Sequence, residues 1–281
     1  MIRFKRGNVS TQVRQWKFPD GCVGVDLQVG SERVDMVTPM ISVSVVFGDE
    51  GFTINDDLMA LAMTVDALKR HFPMAQFMLE LPYIPYARQD RAVNAGEPNS
   101  LKVIGKMING MGFSIVHSLD PHSTVADAAI DNLFTANQHD IFGNVHPNWS
   151  HIHIVAPDAG ATKKCEEFAK AVGAAGVITC AKERDKKTGQ VIGMKVLDEV
   201  PGDSHLFVLD DICDGGRTFI EVAKALDTAV DGGVWHLELA VTHGLFTKGV
   251  DVVGKYFDTI YTTDSFNSVR NNAIVKTLKV S

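Results

Sequence analysis

Strand-like and helix-like segments alternate along the whole chain, which predicts an α/β protein built as two successive βα domains. Two observations carry this. Short apolar runs rich in β-branched residues are followed by segments whose apolar residues recur at helical spacing. One run, Val208–Thr218 (VLDDICDGGRT), passes from an apolar strand through acids and glycines into a helix. That order marks the ligand-binding edge of an open α/β sheet. Composition agrees, since 281 residues at 45% hydrophobic and 22% charged suffice to bury two cores without cross-links.

The first half reads as follows. Val43–Phe47 is a short strand. Asn55 caps a helix, with Asp56 and Asp57 in the first turn, where carboxylates suit the dipole. Leu58, Leu61, Ala62, Val65 and Leu68 share a face, and Lys69 and Arg70 close the helix. Gln76–Leu81 is a strand stopped by Pro82. Leu101, Ile104, Ile108 and Met111 mark a second amphipathic helix, ended by Gly112. Phe113–Leu119 is the next strand.

The second half repeats the style. His151–Ala156 is a strand, Thr162–Val172 a helix, and Gly176–Cys180 a strand. Lys182–Gln190 is charged and turn-rich, and reads as a loop. His205–Leu209 is an apolar strand, followed by a helix over Thr218–Ala229 with Phe219, Val222, Ala223 and Leu226 on one face. Trp235–Val241, Thr259–Thr262 and Ile274–Val280 are further strands. The domains are expected to meet near residues 135–150, giving ranges 1–140 and 141–281, with NVHPNWS (Asn144–Ser150) the most loop-like stretch.

Several classes are excluded or weakened. A net charge of −7 disfavours a sequence-independent nucleic-acid binder. The opening residues lack the apolar stretch of a secretory signal, and the longest apolar run, near Met40–Phe47, is too short to span a bilayer. A cytoplasmic protein without membrane partners is expected. Cys22, Cys165, Cys180 and Cys213 form no CxxC pair, so free buried thiols are expected rather than zinc. His151 and His153 alternate with Ile and read as a solvated strand face.

The chemistry concentrates in VLDDICDGGRT. Asp210 and Asp211, at a strand end, can hold ribose hydroxyls or a metal. Glycines let backbone amides close on phosphate oxygens, and a helix N-terminus adds positive potential. Thr218 offers a hydroxyl. The loop is neither a Walker A motif nor a GxGxxG turn. The plain alternative is a tight turn carrying solvated acids. A second concentration is PYARQDR (Pro85–Arg91), where Arg88 and Arg91 flank Gln89 and Asp90 at a strand end. Arginine can fork onto phosphates or stack on a purine, and glutamine can read an adenine edge. A surface ion-pair cluster is the alternative.

Taken together, these segments resemble the ribose-phosphate diphosphokinase (phosphoribosyl diphosphate synthetase) family. YARQDR is a hallmark, and further matches follow in order. NDDLMAL (Asn55–Leu61) is similar to the family's NDNLMEL, and SLDPHS (Ser118–Ser123) to its TLDLHA. VAPDAGATKK (Val155–Lys164) is similar to its SPDAGG, AKERDKK (Ala181–Lys187) to its KxR loop, and THGLFTKG (Thr242–Gly249) to its THGxF. The resemblance covers about residues 16–265. It implies two phosphoribosyltransferase-type (Rossmann-like) domains with largely parallel sheets. It also implies Mg²⁺ as cofactor, ATP and ribose 5-phosphate as substrates, and a homo-oligomer with active sites near subunit interfaces.

Roles carried over with the resemblance are these. Arg88 and Gln89 match ATP-binding positions, and His122 and Asp158 match magnesium-associated ones, His122 also lying at the ATP. Lys182 and Arg184 match the pair that stabilises the transferring diphosphate. Asp210, Asp211, Asp214, Gly215, Gly216, Arg217 and Thr218 match the sugar-phosphate site. Phe18 and Asp20, in KFPDGC, match a segment that approaches adenine from a neighbouring subunit.

The chain departs from the family pattern in three places. KFPDGC arrives early, so the family's opening strand and helix are expected to be missing, as is the last helical stretch. Both regions serve assembly and allosteric control in the family. Cys22 stands where the family has Glu. The sugar-phosphate loop reads DGGRT against the family's DTGGT, so Gly215 loses a hydroxyl and Arg217 adds a cation. The expected reaction transfers the β,γ-diphosphate of ATP to the anomeric hydroxyl of ribose 5-phosphate, giving AMP and 5-phosphoribosyl 1-diphosphate. One alternative keeps the chemistry with ADP-ribose as acceptor, and another is a catalytically silent regulatory homologue.

Overall fold

The structure, a computed structural model, describes residues 1–30, 40–184, 191–202, 204–230, 236–267 and 272–279, residues 184, 191 and 192 by their backbone alone. The chain divides into two compact units, the first built from Met1–Ala136 with Ser265–Asn267, the second from Asn137–Asp264 with the C-terminal strand.

In the first unit, β1 (Ile2–Arg6) and β2 (Val9–Gln12) form an antiparallel pair, and β3 (Arg14–Lys17) and β4 (Val23–Asp26) a separate hairpin. β5 (Met40–Val45) leads into α1 (Ile54–His71), then β6 (Gln76–Glu80), α2 (Ser100–Gly110), β7 (Ile115–Leu119), α3 (Ala126–Ala129) and β8 (Leu133–Ala136). The sheet order is β2-β1-β5-β6-β7-β8, with β5 to β8 parallel and β1 antiparallel to β5.

One element was not expected and one expectation is corrected. The opening residues, given no element in the sequence reading, form the strand Ile2–Arg6, which runs into an antiparallel hairpin rather than a helix. Its Ile2 and Phe4 are buried between cations that face outward, an alternation short enough to be masked by the charges. The cap of α1 is Thr53 rather than Asn55. Thr53 Oγ1 accepts from the Asp56 amide at 3.2 Å, and Asp56 Oδ2 accepts from the Thr53 amide at 2.6 Å. Asp56 is thus the third-position acid of a capping box. Lys17 adds an ion pair at 2.7 Å, and that pairing with the cap bonds holds the Asp56 carboxyl down at about 2. Leu58, Leu61, Val65 and Leu68 are buried along α1 as their spacing predicts.

In the second unit, α4 (Gln138–Phe142) precedes β9 (Ile152–Ala156), α5 (Thr162–Val172), β10 (Gly176–Arg184) and β11 (Val191–Val196). β12 (His205–Cys213), α6 (Arg217–Ala229), β13 (His236–Gly244), α7 (Val250–Gly254), β14 (Thr259–Thr263) and β15 (Val275–Leu278) follow. The sheet order is β11-β10-β9-β12-β13-β14-β15, parallel except for β11 on β10. β12 is buried on both faces, which is why it reads as a continuous apolar run. Leu206 and Val208 pack with Val222 and Leu226 of α6, while Phe207 and Leu209 pack with Cys165 and Phe168 of α5. The aromatic stack Phe168–Phe207 and the edge contact of Trp149 on both stiffen that second core.

Three further differences bear on the site. Lys182 lies on a strand, not a loop, because β10 continues through Arg184 and pairs antiparallel with β11; residues 185–190 lie outside the described residues. β12 runs past both acids to Cys213, so the turn starts only at Asp214. His153 is half-buried with its Nδ1 enclosed and unpartnered, and burial lowers its pKa, whereas His151 is exposed. Trp235, expected to open a strand, lies outside the described residues. Of the cysteines, three are buried and free, but Cys22 is exposed. Among the described residues, no helix is long and apolar enough to cross a membrane.

Candidate active site

The second unit gathers opposite charges at the C-terminal ends of β9, β10 and β12. Asp158 follows β9, and its Oδ1 accepts from the amides of Gly160 at 3.0 Å and Ala161 at 3.3 Å, fixing the carboxylate at the start of α5. Its other oxygen, Oδ2, meets Lys182 Nζ at 3.0 Å. On β12, the Asp211 amide donates to Asp210 Oδ1 at 2.9 Å, and Lys164 Nζ of α5 stands 4.0 Å from Asp211 Oδ2. The Asp210 carboxyl is pushed well above the ordinary carboxylate range, chiefly by burial, then by the neighbouring Asp211, with Asp158 adding to it. Asp158, Lys182, Asp210 and Asp211 therefore form one electrostatic neighbourhood. Lys164 joins it, and sequence reasoning missed it as a separate group. Its signal was its place in the first turn of a helix that starts from the Asp158 turn.

The glycine turn is built next along β12. Asp214 Oδ1 accepts from Thr247 Oγ1 at 2.7 Å, and its carbonyl from the Thr247 amide at 3.1 Å. The Cys213 carbonyl accepts from the amides of Leu245 at 2.9 Å and Phe246 at 3.0 Å. Gly216 has φ 77°, and a Cβ there would stand 2.2 Å from Val253 Cγ2. Only glycine fits both conditions. Gly215 sits under the Lys248 side chain, whose Cδ and Cε would be 3.4 Å from an added Cβ. α6 starts at Arg217 with no side chain capping its first amides, and Arg217 is exposed beside a half-buried Thr218. Lys248 is a second residue that sequence reasoning did not single out. Burial pushes the Cys213 thiol up to about 12, so it is not a nucleophile near neutral pH.

The first unit holds the other predicted residues. The PYARQDR loop follows β6, and Arg88 is exposed. Gln89 Oε1 accepts from Ser100 Oγ at 2.5 Å, and its carbonyl from the Leu101 amide at 3.2 Å, anchoring the loop to the start of α2. Ser123 Oγ donates to Asp90 Oδ2 at 2.7 Å, which stitches this loop to the segment after β7 that carries an exposed His122. Phe18 and Asp20 occupy the exposed tip of the β3–β4 hairpin, where the Cys22 amide donates to Asp20 Oδ1 at 3.0 Å. The predicted residues thus fall into two sets. Phe18, Asp20, Arg88, Gln89 and His122 belong to the first unit, and Asp158, Lys182, Arg184 and the Asp210–Thr218 stretch to the second.

A parallel sheet, an acid pair at a strand end, a glycine turn and an uncapped helix start define a phosphoribosyltransferase-type α/β fold. Comparison with solved structures agrees: a phosphoribosylpyrophosphate synthetase from Mycobacterium smegmatis superposes with a TM-score of 0.78 over 97% of this chain and 87% of that one, at 21% identity. Residues 5–112 match the family described as the N-terminal domain of ribose phosphate pyrophosphokinase. A putative ribose-phosphate pyrophosphokinase 2 of Streptococcus mutans is 31% identical over 241 residues, covering 83% of this chain and 68% of that protein. The chain belongs to the ribose-phosphate pyrophosphokinase family. It spans 57% of the length of the Cereibacter sphaeroides ribose-phosphate pyrophosphokinase, which is 31% identical over 199 residues and 69% of this chain.

Proposed function

We propose that the protein is an ATP- and Mg²⁺-dependent diphosphokinase that converts ribose 5-phosphate to 5-phosphoribosyl 1-diphosphate with release of AMP. The observation that carries this is the strand, turn and helix of Asp210–Thr218 set beside the Lys182–Asp158 pair. The acceptor's 5′-phosphate meets the amides at the start of α6, with Thr218 and Arg217 alongside. Asp210 and Asp211 receive the ribose hydroxyls. Lys182, held by Asp158 before substrate arrives, supplies positive charge to the diphosphate as it transfers, and Arg184 on the same strand acts with it. ATP is held by Arg88, Gln89 and His122, and by Phe18 and Asp20 from a second copy. Catalysis rests on positioning and charge stabilisation.

Asp158, Asp210 and Asp211 offer oxygen donors, the set that Mg²⁺ prefers, and the burial and carboxylate repulsion that together raise Asp210 are what a divalent cation would offset. His122 would act on the nucleotide side. When bound, Mg²⁺ supplies charge neutralisation across the phosphate oxygens. A homo-oligomer fits the exposed apolar side chains Met59, Val103 and Met107, at 52%, 55% and 42% exposure. Soluble nucleotide substrates would suit a cytoplasmic protein.

Lys182→Ala tests the assignment. The fold should survive, and kcat should fall by about 10²–10³-fold, the scale of removing one charge-stabilising donor. Near-wild-type turnover would sink it. A second reading, with ADP-ribose as acceptor, is favoured by one feature. Lys248 lies over Gly215 while Arg217 is exposed, so two cations flank a loop that lacks a hydroxyl. A catalytically silent regulatory homologue is the remaining reading, and AMP release by the purified chain would exclude it.

A further inference from the structure

The opposite edge of the second unit's sheet carries a group that the proposed reaction does not use. β12 and β13 both begin with histidine, and the parallel register pairs His205 with His236 and Phe207 with Glu238. His205 and Glu238 therefore lie diagonally on one face. His146, in the segment after α4, completes the set. His146 Nε2 and His205 Nε2 each lie 2.7 Å from Glu238 Oε2. The three ligand atoms are within 4.8 Å of one another. The site is enclosed, with side-chain exposures of 15% for His146, 17% for His205 and 3% for Glu238.

We propose that His146, His205 and Glu238 form a binding site for a divalent transition metal, with Zn²⁺ as its best match. Two imidazole nitrogens and one carboxylate oxygen suit Zn²⁺ and its neighbours, whereas Mg²⁺ and Ca²⁺ prefer oxygen alone. Bonds of about 2.0–2.2 Å in tetrahedral geometry need each imidazole nitrogen to part from Glu238 Oε2 by only about half an ångström. The surrounding groups already fix the ligands. Tyr261 donates its hydroxyl to Glu238 Oε1 at 3.2 Å, and Lys276 Nζ stands 3.4 Å from that hydroxyl. Trp149 and Phe207 meet the His146 ring edge-on, at 4.9 and 5.8 Å between centroids. Oriented ligands of this kind are what a metal site needs beyond its donor atoms. His236 stands at the rim, with Nε2 3.4 Å from Glu238 Oε1 and Nδ1 3.4 Å from Asp258 Oδ2.

The site lies at the start of β12, and the glycine turn at its end, roughly 26 Å away along the nine-residue strand. The metal is accordingly a brace. It ties the segment between α4 and β9 to the sheet and takes no part in the reaction at the other edge.

The test strips the purified protein with a chelator, dialyses it against Zn²⁺ and counts bound metal, in parallel with a Co²⁺ titration read by visible absorption. Wild type should hold one more equivalent of Zn²⁺ than His146→Gln, His205→Gln or Glu238→Gln. It should give the intense cobalt bands of a four- or five-coordinate site, which each variant loses. Zn²⁺ should raise the melting temperature of wild type and leave the variants unmoved. Counting the difference between wild type and variant removes any metal held at Asp158 or His122. Each variant's fold is checked by circular dichroism. His146→Gln, in a connecting segment rather than a strand, serves if the strand variants do not fold. Equal metal content and equal cobalt spectra in wild type and folded variants would overturn the proposal, leaving a hydrogen-bonded His–Glu cluster.

Discussion

Gly216→Ala puts the geometry of the glycine turn to a quantitative test. Gly216 has φ 77°, and a Cβ added there would lie 2.2 Å from Val253 Cγ2. Placing an L-residue in that left-handed conformation costs about 1–2 kcal/mol. The contact is far inside the ~3.5–4.0 Å carbon–carbon optimum. Val253 is 1% exposed and cannot swing into solvent, so overpacking adds about 1–3 kcal/mol. The expected loss is about 2–5 kcal/mol, a large part of the ~5–15 kcal/mol that holds a typical domain folded. Urea unfolding followed by circular dichroism should show a lower midpoint with an unchanged slope. Adding Val253→Ala removes the clash but not the strain, so the double variant should lose less than the sum of the two single losses, with a coupling of about 1–3 kcal/mol. A Gly216→Ala protein within about 0.5 kcal/mol of wild type, or strict additivity with Val253→Ala, would refute the reasoning.

Two further outcomes follow from the same geometry. The Asp210 carboxyl titrates well above its unfolded value, so its contribution to stability is fully present at low pH and is lost as pH rises through the folded value. Asp210→Asn, neutral throughout, should therefore be more stable than wild type at and above that value and should turn over no substrate; identical melting curves at every pH would contradict this. Thr53→Ala removes the cap of α1 and should cost about 1 kcal/mol in chemical denaturation, with no change in the second unit's chemistry; an unchanged midpoint would show that Asp56 holds the helix start alone.

The legible parts of the fold are those where burial is one-sided or complete. The helix over Thr162–Val172 matches its expected bounds because Cys165, Phe168 and Ala169 face the core and Gly173, at φ 70°, ends it. β12 was legible because its first residues are apolar on both faces, but its end was not, since Asp210 and Asp211 continue a strand that composition alone would stop. β10 was read too short for a related reason. Lys182, Glu183 and Arg184 resemble a loop in sequence, and pairing with β11 makes them a strand. The cap of α1 was misplaced by two residues because Thr53 and Asn55 are both cap formers, and only the reciprocal bond from Asp56 decides between them. The chemical residues of the Asp210–Thr218 stretch stood out because they are contiguous. Lys164, Thr247 and Lys248 did not, since only the packing of α5 and of the segment after β13 brings them to it. The His146–His205–Glu238 cluster was invisible for the same reason: parallel pairing of β12 with β13 joins residues far apart in sequence.

The central claim is the reaction itself, and product identification tests it most directly. Purified protein with ATP and Mg²⁺ would be incubated with ribose 5-phosphate and, separately, with ADP-ribose, and the products resolved by mass spectrometry. The account predicts AMP together with 5-phosphoribosyl 1-diphosphate in the first incubation. Absence of AMP with ribose 5-phosphate would contradict it, and AMP with a diphosphorylated ADP-ribose alone would move the acceptor to the one that Gly215, Arg217 and Lys248 favour.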